Sequence, residues 1–367
     1  MRTRIRLRSA RLHYEPGIQV FTAASGPIEA LHEQYLIIER DDGLRGVGEV
    51  RANITFLSKI PEGEVASAIR RGVQALDWSA PPEAIMAATG ALAGHHPAIA
   101  RAAVENALLD AIARRDGRRV AETLGGAFSA RMPTNQCLFW GPDETFDRLA
   151  ARYIEVGFRD IKVRVAIGSF DRDLARLRRL RERFGDGFSL AIDANGGWTA
   201  DEAIANLRLL EPLRLAYFEQ PTTIGDRQAF ERVGKSTAIP VMLDEGLTSA
   251  ADVDWLARLG PPFFAHLKIV KLGGPSVVMD YARRLRDAGV EVMMGQMNEG
   301  GMATALAAHC AMAARAKYNE IYGCYGLIDD PTSGWRYRDG HLRLPEGPGL
   351  GVEFDEARTI QLWDIER

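Results

Sequence analysis

Apolar and polar positions along the chain follow two rhythms, and the change between them near residue 126 divides the molecule. In the first part, Arg4 to Leu12 alternates as a strand, and Gln34 to Glu39 and Leu44 to Glu49 form a hairpin about Asp41-Asp42-Gly43. Apolar residues at helical spacing then predict helices over Gly63 to Leu76, Pro82 to Leu92 and Pro97 to Arg114. A last short run, Val120 to Leu124, stops at Gly125-Gly126, a doublet that marks the end of an α+β unit over residues 1–126.

From Met132 onward, short apolar runs alternate with amphipathic stretches. The runs Met132 to Phe139, Asp160 to Val165, Phe188 to Ile192, Leu215 to Phe218, Ile239 to Leu243, Phe263 to Lys268, Glu291 to Gly295 and Glu320 to Tyr325 predict buried strands. Between them fall helices over Asp143 to Val156, Phe170 to Phe184, Ala200 to Leu210, Asp226 to Val233, Ala250 to Leu259, Pro275 to Ala288 and Met302 to Ala314. Successive strand ends lie roughly 25 residues apart, one strand plus one returning helix, so the pattern predicts an α/β fold with a parallel (β/α) barrel. The barrel spans residues 127–330, and a C-terminal segment, residues 331–367, opens with a hairpin from Trp335 to Leu344 turned at Asp339-Gly340.

Composition narrows the function. The 367 residues hold a barrel of about 250 and a smaller second unit. A formal net charge of −3 offers no field to gather nucleic acid or anionic lipid, and no apolar run reaches the roughly 18 residues of a membrane span. The basic N-terminus leads into alternating positions at Ile5 and Leu7, a strand and not a signal peptide, so a cytoplasmic enzyme with a small substrate is expected. Cys137, Cys310 and Cys324 are widely spaced and read as buried thiols in a reducing compartment. Only six of the 46 basic residues are lysines, and Lys162, Lys268 and Lys271 fall in apolar runs. Burial can make a lysine neutral but not an arginine, which points to proton chemistry.

The barrel strands end in charge. Asp193, Glu219 and Asp244 close the third, fourth and fifth, in Asp193-Ala194-Asn195-Gly196-Gly197, Glu219-Gln220-Pro221 and Asp244-Glu245-Gly246. Lys162 and Arg164 stand two apart on the second strand and share a face, Lys268 lies on the sixth, and Glu299 follows the seventh. All would ring one barrel mouth. Three carboxylates converging in an apolar mouth raise one another's pKa unless a cation is present, and all-oxygen ligation suits one Mg²⁺ per chain. Each acid also has an ordinary reading: an Asx-turn for Asp193, a loop acid for Glu219 and a loop start for Asp244. Their common spacing between two strand lysines favours the metal. His266 shares a face with Lys268 and reads as a hydrogen-bonded core histidine in preference to a catalytic one.

Taken as a set, the motifs Lys-x-Arg at Lys162, Asp-x-Asn at Asp193, Glu-Gln-Pro at Glu219, Asp-Glu at Asp244, Lys-x-x-Lys-x-Gly-Gly from Lys268 to Gly274 and Gly-x-Met-x-Glu from Gly295 to Glu299 are specific. With them the chain resembles the enolase superfamily, in its mandelate racemase/muconate-lactonising subgroup, over nearly its whole length. The resemblance implies a modified TIM barrel with an N-terminal α+β cap. Cap loops near Thr22 to Pro27 and Asn53 to Leu57 would close over the mouth and select the substrate, with ordinary polar connections as the alternative. The tail around Pro348 to Val352 would return to pack on the cap, and the assembly would be a homo-oligomer. The resemblance further implies that Lys268 removes the α-proton of a carboxylate substrate, giving a metal-stabilised ene-diolate. Lys162 would orient or polarise the substrate carboxylate and Glu299 would complete the site. Structural ion pairs for both lysines, Lys162 with Asp193 or Glu219, and a helix-start carboxylate for Glu299 are the plainer alternatives.

Arg164 departs from the pattern. Relatives that racemise usually carry a second lysine there, facing the sixth-strand base across the α-carbon. A guanidinium stays protonated, so the expectation is one-base chemistry at Lys268, a cycloisomerase or a lyase of the dehydratase type, with Arg164 as an electrostatic clamp. A racemase or epimerase of amino-acid derivatives and a non-catalytic metal-binding barrel are the alternatives.

Overall fold

The computed structural model describes residues 2–22 and 26–367, so residues 23–25, within the expected cap loop at 22–27, lie outside the described part. The strand Thr3–Leu12 pairs antiparallel with Leu31–Arg40, and that strand with Arg45–Arg51. Ile360–Glu366, at the far end of the chain, adds to the free edge of Thr3–Leu12 and completes a four-stranded sheet. Helix Ala98–Arg115 packs on this sheet, and helix Glu62–Gln74 packs against that helix. Small residues set the approach: a Cβ on Gly48 would lie 2.5 Å from the Ala107 nitrogen and 2.6 Å from the Ala103 oxygen. The alanine-rich helix Ala98–Arg115 is therefore buried almost all round, with sheet on one side and barrel on the other. At the second expected cap loop, Asn53 to Leu57, the chain makes a short helical turn, Thr55–Ser58.

Eight strands, Gln136–Leu138, Asp160–Arg164, Ser189–Asp193, Phe218–Glu219, Val241–Leu243, Phe263–Lys268, Glu291–Gly295 and Tyr318–Glu320, run parallel in chain order. Asn135 N donates to Asn319 O at 2.9 Å, which joins the first strand to the last and nearly closes the barrel. Serine, threonine and aspartate start several of the returning helices: Ser169, Thr199, Asp226 and Ser249 each accept a backbone N–H of the first turn.

Two strands differ from expectation. The run Met132 to Phe139 splits, because Pro133 has no N–H for a central ladder. Arg131–Pro133 instead pairs with His341–Arg343 of the C-terminal hairpin, and only Gln136–Leu138 enters the barrel. The eighth strand is Tyr318–Glu320 and not Glu320 to Tyr325, which moves Glu320 from a strand start to a strand end. The C-terminal hairpin turns through Asp339 (φ 52°) and Gly340 (φ 67°), the left-handed pair a two-residue turn requires.

The period of two along each strand stacks the barrel interior in layers. Ala191, Tyr217, Met242, Phe264 and Met293 form an apolar plug. Two residues further along the same strands stand Asp193, Glu219, Asp244, His266 and Gly295, so the layer above the plug is charged. Cys137, Cys310 and Cys324 are free and buried, and among the described residues no helix is long and apolar enough to cross a membrane.

Candidate active site

The charged layer is one contact network. Lys162, fully buried, places Nζ 2.9 Å from Glu219 Oε2 and 3.6 Å from Asp193 Oδ2, and it also pairs with Glu320. Asp193 accepts from Asn195 N at 2.8 Å and from the Arg164 guanidinium, which donates to Asn195 Oδ1 as well. Asn195 Nδ2 donates to Glu245 at 2.6 Å. Lys268 donates to Asp244 Oδ2, and Lys271 Nζ lies 2.9 Å from Asp244 Oδ1. His266 Nδ1 faces Glu219 Oε1 at 3.0 Å, while its Nε2 is buried without a partner among the described residues. Gly295 leaves room for that ring, since a Cβ there would collide with Nε2.

Glu299 stands apart from this network. Its carboxylate accepts Met297 N at 3.2 Å on the loop after the seventh barrel strand, and it is 5% exposed. Backbone strain marks the same mouth: Ala166, Asn195, Gln220 and Asn298 hold positive φ in the loops after the second, third, fourth and seventh strands. Such strain persists where surrounding bonds over-determine it, and it clusters at functional sites. A surface cleft of about 400 Å³ beside Trp198, Thr222 and Arg232 gathers no comparable set of acids and lysines.

Sequence reasoning missed three members. Glu320 meets Lys162 because the eighth strand ends, and does not begin, at that residue. Its position opposite Gly295 in register follows the spacing of the other strand ends. Gln220 braces the fifth-strand acid: its Oε1 accepts Asp244 N and Gly246 N, both at 3.1 Å, and its Nε2 donates to Thr222 O at 2.9 Å. That gives the middle residue of Glu-Gln-Pro a mechanical reason. Glu245 joins the ring through Asn195.

Burial pushes the Asp193 carboxyl up to about 6 despite Arg164, the Glu219 carboxyl up to about 7 despite Lys162, and the Glu245 carboxyl up to about 7. At Asp244 burial acts the same way but is outweighed by the Lys268 and Lys271 ammoniums, which hold it well below the usual range. Burial opposes the charge of Lys162 and Lys268, yet the acids around each win and raise both lysines above the usual range. Burial and the charge of Lys268 keep His266 well below its usual value, so the imidazole is neutral. Five carboxylates of this network (Asp193, Glu219, Asp244, Glu245, Glu320) thus face four cationic side chains (Lys162, Arg164, Lys268, Lys271). A cation would offset the excess of negative charge, and the all-oxygen donors fit a hard metal ion. Among the described residues, one set of metal-capable groups, Glu219, His266 and Glu320, has all its ligand atoms within 4.8 Å of one another. It shares only Glu219 with the trio expected from the strand ends.

A parallel barrel under an α+β cap, with acids and lysines closing successive strands, defines a barrel enzyme of the enolase type. The chain belongs to the family described as Enolase C-terminal domain-like, whose model matches residues 145–358. It is 28% identical to muconate cycloisomerase 1 of Pseudomonas putida over 91% of this chain and 92% of that protein. It is 31% identical to the L-Lys-D/L-Arg epimerase of Methylococcus capsulatus over 70% of this chain and 72% of that protein. A dipeptide epimerase from Methylococcus capsulatus, solved in complex with Mg and the dipeptide L-Arg-D-Lys, superposes with a TM-score of 0.82 at 26% identity, covering 95% of this chain and 99% of that one. These relatives are isomerases of the muconate-lactonising and epimerase branches, and the chain is an enzyme of their superfamily.

Proposed function

We propose that this protein is a Mg²⁺-dependent isomerase or lyase that removes the α-proton of a small carboxylate with Lys268 as its single base. The observation that carries the reading is the asymmetry of the ring: Lys268 reaches the mouth from the sixth strand, whereas the second strand presents Arg164, already engaged by Asp193 and Asn195.

Asp193, Glu219 and Asp244 would hold the ion. Their six oxygens suit Mg²⁺ better than the set with His266 and Glu320, which includes a nitrogen. Bound there, Mg²⁺ would supply Lewis acidity for the charge a substrate carboxylate gains as its α-proton leaves. Lys268 accepts the proton at Nζ, so it must first be free of its own. Its pairing with Asp244 opposes that release. Arg164 steadies the developing negative charge; it lies over the Phe139 ring at 5.9 Å, and its buried Nε has no partner among the described residues. Lys162, shared among three acids, balances the charge of the ring and would orient the substrate carboxylate.

An epimerase is the second reading, favoured by the 31% identity to the L-Lys-D/L-Arg epimerase. The test is proton NMR in D₂O with Mg²⁺ and a library of hydroxy acids, N-acyl amino acids, dipeptides and muconates. Exchange of one enantiomer only, or turnover without racemisation, supports the one-base enzyme. Similar exchange of both enantiomers of one substrate supports the epimerase, and no exchange of any acid speaks for a barrel that only binds metal.

A further inference from the structure

We propose that Arg51, a cap residue, is a positioning residue for Glu299: it grips the backbone of the loop from which that acid reaches the barrel mouth. Only the kinetic part of the test below rests on the proposed reaction.

Arg51 ends the cap strand Arg45–Arg51 and is 1% exposed. Its Nη1 donates to Met297 O at 2.6 Å and to Asn298 O at 3.3 Å, and its Nε donates to Asn53 Oδ1 at 2.7 Å. Asn53 is itself tied into the cap, accepting His32 N at 3.2 Å and donating to Ala30 O at 3.0 Å. The guanidinium therefore bridges a braced cap residue and the seventh-strand loop. That loop needs such a partner, because Asn298 sits at φ 54° and turns two successive carbonyls out of any regular ladder. The planar fork of an arginine can reach both from one side. A second cap residue holds the loop by its side chain: Tyr14 OH accepts from Asn298 Nδ2 at 3.1 Å and donates to Gly323 O at 2.6 Å.

Met297 makes the connection to the acid direct. Its carbonyl is held by Arg51, and its amide donates to the Glu299 carboxylate at 3.2 Å. A shift of that residue moves the carboxylate. Burying a guanidinium costs free energy that a neutral donor would avoid. The charge has a use here: burial drives Glu299 toward its neutral form, and the positive charge of Arg51 opposes it. Glu33 lies in register with Arg51 across the strand pair and is fully buried, its own carboxyl pushed well above the usual range by burial.

Hydrogen–deuterium exchange and thermal melts on the full chain compare the unmodified protein with Arg51→Met, Arg51→Lys and Tyr14→Phe. In Arg51→Met the amides of residues 296–299 should exchange at least about tenfold faster while the body of the helix after them keeps its protection. Arg51→Lys, which keeps the charge, should restore part of that protection, and Tyr14→Phe should fall between. On whichever acid the unmodified enzyme exchanges in D₂O, Arg51→Met should lower kcat by about 100-fold. KM should hold within about threefold, the signature of a misplaced site group and not of lost substrate binding. Unchanged loop protection in Arg51→Met, or a loosened loop with unchanged kcat, overturns the proposal. If Arg51→Met does not fold, unchanged loop protection in Arg51→Lys overturns it in the same way. If the unmodified protein exchanges no acid at all, the proposed reaction fails, and loop protection alone decides the role of Arg51.

Discussion

At Arg164 the second barrel strand presents a guanidinium where proton exchange on a second face would need a neutral amine. The side chain is committed to Asp193 and Asn195, so its position as well as its basicity argues against a base. Arg164→Lys exchanges the fork for an amine that burial and neighbouring cations can neutralise. We expect the variant to gain α-proton exchange on the enantiomer the unmodified enzyme leaves untouched, read by proton NMR in D₂O. Asp193→Asn tests the ring from the other side. It keeps the Asn195 turn but removes a charge, and Mg²⁺ affinity by calorimetry should weaken by at least about tenfold while the melt remains cooperative. Most of these residues were legible in the sequence, because a period of two puts Lys162 with Arg164 and His266 with Lys268 on one face. Glu320 was not. The stretch from Ile321 to Tyr325 is richer in strand-forming residues than Tyr318–Glu320, but register against Glu291–Gly295 starts the strand two residues earlier and ends it at Glu320.

At the scale of elements, buried polar side chains tie the cap, the barrel helices and the tail together. Asp110, 0% exposed on the helix Ala98–Arg115, accepts Val47 N at 3.1 Å from the cap sheet and Leu350 N at 2.9 Å from the tail. Asp110→Ala strands both amides, and a urea titration should show a loss of about 2–5 kcal/mol. His309 on the helix Gly301–Ala314 does similar work in neutral form. Its Nδ1 accepts Ala121 N at 3.2 Å, and its Nε2 faces Leu350 O at 3.3 Å. Burial lowers it from 6.5 to about 4. Above the unfolded value both states are neutral and the stability is fully present. As pH falls below 6.5 the unfolded chain takes up a proton that the folded chain refuses, and stability drains until about 4. The loss over that window is about 3 kcal/mol, and His309→Gln should flatten that part of the stability–pH curve. Three helices, Phe170–Phe184, Ala200–Leu210 and Ala250–Leu259, match their sequence-based bounds because Ser169, Thr199 and Ser249 cap them visibly. Strand bounds were harder to read, since the ladder keeps as few as two residues in Phe218–Glu219 and Pro133 splits the first run.

Across the whole molecule, cap and barrel share side chains at the mouth. Arg101 of the cap helix donates to Leu272 O at 3.1 Å beside the sixth strand, and Glu49 of the cap sheet accepts Ala303 N at 2.7 Å at the start of a barrel helix. The cap thereby borders the segment that follows Lys268 and the loop that carries Glu299. Architecture and reaction class were legible because the spacing of strand-end acids and lysines is itself a consequence of the barrel. The substrate was not, because it depends on how cap loops and barrel mouth meet in space, which no local pattern records. Mg²⁺ should raise the melting temperature of the unmodified protein and of Lys268→Ala, and that of Asp193→Asn by less at the same concentration, since an ion that binds only the folded state stabilises it according to its affinity.

The central claim is that Lys268 takes the α-proton, and it is tested by comparing unmodified protein with Lys268→Ala in D₂O containing Mg²⁺, on any carboxylate the unmodified protein exchanges. The variant should keep its Mg²⁺-dependent melting shift while α-proton exchange falls by about 10²–10⁴-fold. Exchange at the unmodified rate in Lys268→Ala would contradict it.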